Sequence, residues 1–396
     1  MNDFPNVQWA EGGEARSARW RSEAGNPPPE RIVIADDTLN ADAAYSLARD
    51  GTALLWRGDY QNARHLMQAL ARRVDGRPRK GVAVKSAADA FNQHRQAQAK
   101  RARVLGAVLI VLEPDYGIAL RRAPDMKAAC TEAWGPPEDA ATGSLVSLRE
   151  LLGLVGAHEW RKKGVEIPSL GNAPNNRIHA HYGVFSPVRG EYVGLVASQP
   201  LSAPLAALLA ANSLAFDIGT GTGVLAAMLA RRGIKRVIGT DTDPRALACA
   251  RDNIARLGVG KRVSIAEADL FPEGRAPLIV CNPPWVPAQP SSPIERAVYD
   301  EGSRMLRGFL SGLAAHLAPG EDGSPAGEGW LILSDLAEHL GLRSRGELLG
   351  WIEAAGLQVL GRKDVRPSHP KTADAADPLH AARAAEVTSL WRLGAV

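Results

Sequence analysis

Cysteine is scarce in this chain: of 396 residues only Cys130, Cys249 and Cys281 are cysteines, far apart and without a C-x-x-C pair. That spacing excludes a disulfide framework and a thiolate zinc site, and it fits a reducing, cytoplasmic setting. Long apolar runs are lacking too. No uninterrupted stretch reaches the ~18 residues of a membrane span, and Met1 to Pro29 carry charges throughout, with no apolar core of a secretory signal. Net charge is close to balance at +4, but it is unevenly spread. Between Arg57 and Arg122 fourteen Lys/Arg face five Asp/Glu, a local excess of nine that leaves −5 on the remainder. Such a stretch suits an anionic partner, RNA first, or equally a solvated basic helix face.

Hydrophobic residues make up 45% and charged residues 23%, which argues against wholesale disorder. The chain exceeds an ordinary domain of about 100–150 residues, so two folded units are expected. Residues 1–30 are polar and end in a proline run, which reads as a flexible tail. Residues 31–150 mix short apolar strands (31–34, 53–56, 105–112) with helices, a small basic α+β accessory domain. Ser86 with Asp89 three residues later starts one helix, which carries Arg95, Lys100, Arg101 and Arg103. Residues 151–195 form a connecting helix and a pre-core segment, Tyr182-Gly183-Val184-Phe185-Ser186-Pro187. From 196 to 396 strands and amphipathic helices alternate, with strands at 214–217, 236–241, 263–268, 278–282, 330–334 and 357–360 and an antiparallel last strand near 387–393. That alternation predicts an α/β domain, a doubly wound Rossmann-like sheet of seven strands.

The first of those strands runs into Asp217-Ile218-Gly219-Thr220-Gly221-Thr222-Gly223, and the fourth into Asn282-Pro283-Pro284-Trp285. Glycines in the loop after the first strand let a ligand lie against bare backbone and permit positive φ. A dinucleotide fingerprint requires G-x-G-x-x-G or Ala at the last position, whereas position 224 is Val, which disfavours NAD. Asp241 ends the second strand, where a carboxylate can accept both ribose hydroxyls of a nucleoside. Asp243 before Pro244 fits a helix cap. Asp269 and Leu270 follow the third strand, placed to meet an exocyclic amine and a purine ring.

This order and spelling resemble class I S-adenosylmethionine-dependent methyltransferases over roughly residues 180–391. The resemblance implies S-adenosyl-L-methionine as cofactor, with Asp217, Gly219, Thr220, Gly221, Gly223, Asp241, Asp269 and Leu270 at its site. It makes Asn282, Pro283, Pro284 and Trp285 the catalytic motif. An amide or aromatic amine is a poor nucleophile because its lone pair is delocalised. The Asn282 side-chain oxygen and the Pro283 carbonyl can each accept an N–H and aim the lone pair at a sulfonium methyl, while Trp285 stacks on the planar group. The tripeptide alone is not specific, since Asn26-Pro27-Pro28 repeats it; its weight comes from its place after a strand.

The N-P-P-aromatic motif resembles the branch that methylates planar nitrogens: HemK-type methyltransferases of release-factor glutamine, ribosomal-RNA guanine methyltransferases, and adenine methyltransferases. D-I-G-T-G-T-G and Trp285-Val286-Pro287 point to the HemK type, hence to a glutamine of the translation machinery. Gly183-Val184-Phe185-Ser186 resembles the guanine enzymes, so an RNA base is the alternative, and a non-catalytic RNA-binding protein a minor one. Glu191 is expected near the cofactor pocket. Trp56, Arg57 and Tyr60 are candidates for stacking on bases. His158-Glu159-Trp160-Arg161-Lys162 has Lys where a zinc helix needs its second His, so no metal is expected there. His179 and His181 read as surface residues.

Overall fold

The computed structural model describes residues 5–76, 85–137, 143–290, 294–320, 322–367 and 377–396. The chain divides into two compact units, Met1–Val84 with Asn92–Glu159, and Lys85–Phe91 with Trp160–Val396. The expected boundary at residue 150 thus moves to Glu159, within a helix, and residues 160–195 join the second unit rather than linking two bodies.

In the first unit the elements are β1 (Asn6–Glu11), β2 (Glu14–Arg21), β3 (Arg31–Ala35), α1 (Ala41–Arg49), β4 (Thr52–Trp56), α2 (Tyr60–Asp75), α3 (Ala87–Leu105, its first turn grouped with the second unit), β5 (Val108–Leu112), α4 (Lys127–Trp134), β6 (Ser144–Ser147) and α5 (Leu148–Lys163). The strands form one mixed sheet in the order β1-β2-β6-β5-β4-β3. Residues 1–30 are therefore not a flexible tail over most of their length. β1 and β2 form a hairpin turned by Gly12 and Gly13, both at positive φ, and Val7, Ala18 and Trp20 join the core with Leu55, Leu109 and Leu145. Only alternate residues face inward, so a strand with one wet face reads as polar in composition.

The aromatics considered for base stacking are interior: Trp56 is 2% exposed and Tyr60 0%. The Trp56 indole donates to the Asp59 carbonyl at 3.0 Å. Much of the basic stretch is also committed. Arg57 binds Glu11, Arg73 binds Asp42, Arg101 binds Asp75, and Arg121 and Arg122 both bind the buried Asp59 at 2.8 and 2.7 Å. Ser86 caps α3 as expected, accepting the Asp89 amide at 3.1 Å.

The second unit continues with β7 (Val165–Glu166), β8 (Arg177–Ile178), α6 (Glu191–Ser198), α7 (Ala203–Ala211), β9 (Leu214–Ile218), α8 (Val224–Arg231), β10 (Arg236–Asp241), α9 (Pro244–Arg256), β11 (Val263–Glu267), β12 (Leu278–Cys281), α10 (Arg304–His316), β13 (Glu328–Ser334), α11 (Leu336–His339), α12 (Arg345–Ala354), β14 (Leu357–Val365), α13 (His380–Ala385) and β15 (Thr388–Ala395). Seven strands form a sheet ordered β11-β10-β9-β12-β13-β15-β14, parallel except for β15, which runs antiparallel to both its neighbours. β12 shows why helices cover both faces. Leu278 and Val280 pack with α6, α7 and α8, while Ile279 and Cys281 pack with α10 and α12.

Among the described residues no single helix is long and apolar enough to cross a membrane; the apolar pair α6 and α7 is bent by 83° and packs in the core.

Candidate active site

Chain order reverses about β9: β10 lies on one side and β12 on the other. At that switch point the carboxyl ends of two strands part and leave a crevice. Ile218 pairs with Cys281 in register, so the glycine loop and Asn282 leave the sheet side by side although some sixty residues separate them in sequence. On the other flank Thr240 pairs with Ile218, and Asp241 with Glu267, which sets the acid that ends β10 next to the same loop.

The loop is braced from beneath. Asp217, 1% exposed, accepts the Thr220 hydroxyl at 2.6 Å and the Ala226 amide at 2.9 Å, tying β9 to the first turn of α8. Burial pushes its carboxyl up to about 6 against the pull of those two bonds, and nearby Asp241 adds to the rise. Asp217 thus shapes the loop. The Thr220 amide donates to the Thr240 carbonyl at 2.7 Å, which fixes the loop on β10. Gly219, Gly221 and Gly223 all have positive φ, and Gly223 opens α8. At Gly219 the need for glycine is steric as well, because a Cβ there would sit 2.4 Å from the Met305 methyl at the start of α10. Met305, far along the chain, gave no signal in the sequence. Nor did Gly239, where a Cβ would meet the Thr220 hydroxyl at 2.8 Å and hold the loop off β10.

Asp241 accepts the Gly221 amide through Oδ2 and the Asp243 amide through Oδ1, each at 3.0 Å. The Thr242 amide also acts on the carboxylate, which keeps part of its acceptor capacity. Burial raises the Asp241 carboxyl above the ordinary range. Asp243 caps α9 as expected, accepting the Arg245 amide at 2.8 Å with Pro244 in the first turn. The pre-core segment lies near this end of the sheet, with the Arg245 guanidinium 5.7 Å from the Tyr182 ring. His179 and His181 are half-buried there rather than on the open surface. The His179 amide donates to Asn253 at 2.7 Å, and the His181 ring meets Asp252 at 3.3 Å.

Asp269 is open to solvent, with Arg304 4.0 Å away. Leu270 is half-buried at φ +73, a conformation that costs a leucine ~1–2 kcal/mol. The Thr240 hydroxyl donates to its carbonyl and holds it there, while Gly308 leaves room for its side chain.

In the second motif Pro283 is buried and Asn282, Pro284 and Trp285 are half-buried. The Trp285 indole donates to Asn282 Oδ1 at 2.8 Å. Arg189, two residues before Glu191, lies 5.7 Å from the Trp285 ring and pairs with Glu191 at 3.3 Å and with the buried Glu386 at 3.1 Å. Glu191 is therefore engaged with Arg189 in the first turn of α6. Neither Arg189 nor Glu386 was singled out by the sequence.

Residues 203–310 match the family described as Ribosomal protein L11 methyltransferase (PrmA). A release factor glutamine methyltransferase of Cereibacter sphaeroides is 33% identical over 184 residues, 43% of this chain and 58% of that protein. The second unit is similar to methyltransferases over residues 203–310. Two solved structures also align with it. One is a ribosomal protein L11 methylase from Lactobacillus delbrueckii subsp. bulgaricus, at TM-score 0.31, 17% identity, and 52% and 75% coverage of this chain and of that one. The other is a geranyl diphosphate methyltransferase in complex with SAM, at TM-score 0.37, 13% identity, and 59% and 97% coverage.

The two sequence matches support S-adenosyl-L-methionine as the cofactor, and the second unit offers groups suited to it. The glycine loop presents bare backbone, and Asp241 keeps acceptor capacity suited to a ribose hydroxyl.

Proposed function

We propose that the protein is an S-adenosylmethionine-dependent N-methyltransferase acting on a planar amide nitrogen, a glutamine side chain of a translation protein. The observation that carries the reading is the register of Ile218 with Cys281, which sets the cofactor loop and Asn282 at adjacent strand ends. The cofactor supplies an electrophilic sulfonium methyl; the remaining work falls to the chain. Asn282 Oδ1 and the Pro283 carbonyl accept the two N–H groups of the acceptor amide and turn its lone pair out of conjugation. Alignment of this kind is worth several powers of ten in rate. A displacement from sulfonium needs no strong base, and the proton leaves to water. Cys281 does not compete as a nucleophile, since burial raises its thiol well above the ordinary value. The match to a release factor glutamine methyltransferase supports glutamine as the acceptor.

An RNA base is the second reading, and the basic residues of α3 support it. The burial of Trp56 and Tyr60 removes the stacking platform that would have strengthened it. The deciding experiment transfers labelled methyl from S-adenosylmethionine into a lysate of cells lacking this protein. Label lost to protease and held in a release factor supports glutamine. Label lost only to RNase replaces that reading with an RNA base, and no transfer to any fraction removes the enzymatic reading.

A further inference from the structure

Trp285 was expected only to stack on a planar acceptor. Its indole also reaches the group that would hold the acceptor: Nε1 lies 2.8 Å from Asn282 Oδ1. An indole N–H donates and cannot accept, so the atom it meets must be the carboxamide oxygen and not the amino group. We propose that Trp285 is a positioning residue for methyl transfer, its indole N–H fixing the Asn282 carboxamide with the oxygen available as acceptor. The inference rests on the reading of Asn282 as the residue that holds the acceptor N–H.

The chemistry follows from lone pairs. A carboxamide oxygen has two; Trp285 takes one and the acceptor N–H takes the other. Without the indole donor, rotation by half a turn would present the Asn282 amino group instead. A donor would then face the N–H of the acceptor, which repels it and removes the alignment on which the rate depends. Phenylalanine at this position keeps an aromatic face but has no donor.

The indole is itself held. Arg189 lies over its ring and is anchored by Glu386, 2% exposed, which in turn accepts the Ser334 hydroxyl at 2.7 Å. Ser334 ends β13, the sheet neighbour of the strand that delivers Asn282. The brace therefore runs from one strand end to the next, and Trp285 also packs against the apolar groups on both faces of the sheet.

The test compares Trp285→Phe with the unaltered full chain in two measurements. The first is the maximal rate of label transfer into the lysate of cells lacking the protein, with S-adenosylmethionine titrated. Trp285→Phe should lower that rate by about tenfold to a hundredfold and leave the cofactor KM and its calorimetric Kd unchanged. The second is the indole ¹⁵N–H spectrum of the free protein, in which the resonance lost in Trp285→Phe should shift in Asn282→Ala. A full rate in Trp285→Phe overturns the proposal, as does an indole resonance indifferent to Asn282→Ala. Absence of transfer by the unaltered protein counts against the proposed function instead, and the indole resonance then decides the contact alone.

Discussion

The Gly221 amide donates to Asp241 Oδ2 at 3.0 Å, so the glycine loop and the acid that ends β10 form one hydrogen-bonded unit before any ligand arrives. The carboxylate is oriented by the loop it serves. Asp241→Ala removes both the brace and the acceptor proposed for ribose hydroxyls. Hydrogen bonds to a charged group contribute ~1.5–3 kcal/mol, so S-adenosylmethionine should bind about tenfold to a hundredfold more weakly in calorimetry. Because burial raises the Asp241 carboxyl, affinity in the unaltered protein should fade on acidification from a higher pH than an ordinary carboxylate gives. Unchanged affinity in Asp241→Ala would remove Asp241 from the cofactor site.

Asp217 gives a pH dependence of stability rather than of binding. Its carboxyl titrates near 6 in the fold against 3.8 for an unperturbed side chain, with burial the main cause. Between those values the folded state holds a proton that the unfolded state has released, so this residue's contribution to stability falls as pH rises through the window and is flat above it. Asp217→Asn keeps an acceptor oxygen for Thr220 and Ala226 and removes the titration. Urea unfolding of the two proteins should diverge from pH 4 to pH 6, the variant gaining on the order of 3 kcal/mol relative to the parent by neutral pH. Parallel curves across that range would contradict the buried charge.

Gly219 faces two constraints that separate mutations can resolve. Alanine there must adopt φ +68 and must also displace the Met305 methyl, 2.4 Å from its Cβ. The backbone strain amounts to ~1–2 kcal/mol, whereas the clash is with the flexible end of a side chain. Gly219→Ala should weaken cofactor binding, and Gly219→Ala with Met305→Ala should recover part of the loss. A double variant no better than the single one would assign the whole effect to backbone strain and to the ligand surface.

How much of this was legible in the sequence depends on how far the deciding contact lies along the chain. β9 with its glycines, β10 with Asp241 and β12 with Asn282 were readable because each motif abuts its own strand, and a buried parallel strand is an unbroken apolar run. β1 and β2 were not, since Val7, Ala18 and Trp20 are buried among polar, exposed neighbours in strands at one end of the sheet. Met305 over Gly219 and Glu386 behind Arg189 are products of the packed fold, and no local spacing encodes them. The basic stretch was only partly legible for a related reason: a sequence counts charges, while the fold places Arg57, Arg121 and Arg122 on carboxylates.

Asn282 separates catalysis from cofactor binding. It is half-buried at the end of β12, one residue beyond the pairing of Cys281 with Ile218, and its side-chain oxygen is oriented by Trp285. It follows β12, whereas the loop that would hold the cofactor follows β9. Asn282→Ala should therefore abolish methyl transfer while S-adenosylmethionine binds within about twofold of the parent affinity, the pattern of an interaction that matters only when the acceptor reacts. Asn282→Asp is the sharper variant. Its carboxylate still accepts from Trp285 and from the acceptor, so partial activity identifies acceptance of an N–H as the role, whereas a loss as deep as that of alanine would point to the neutral amide itself. Equal loss of turnover and cofactor affinity in Asn282→Ala would instead move the residue into the cofactor site and leave the acceptor without its holder.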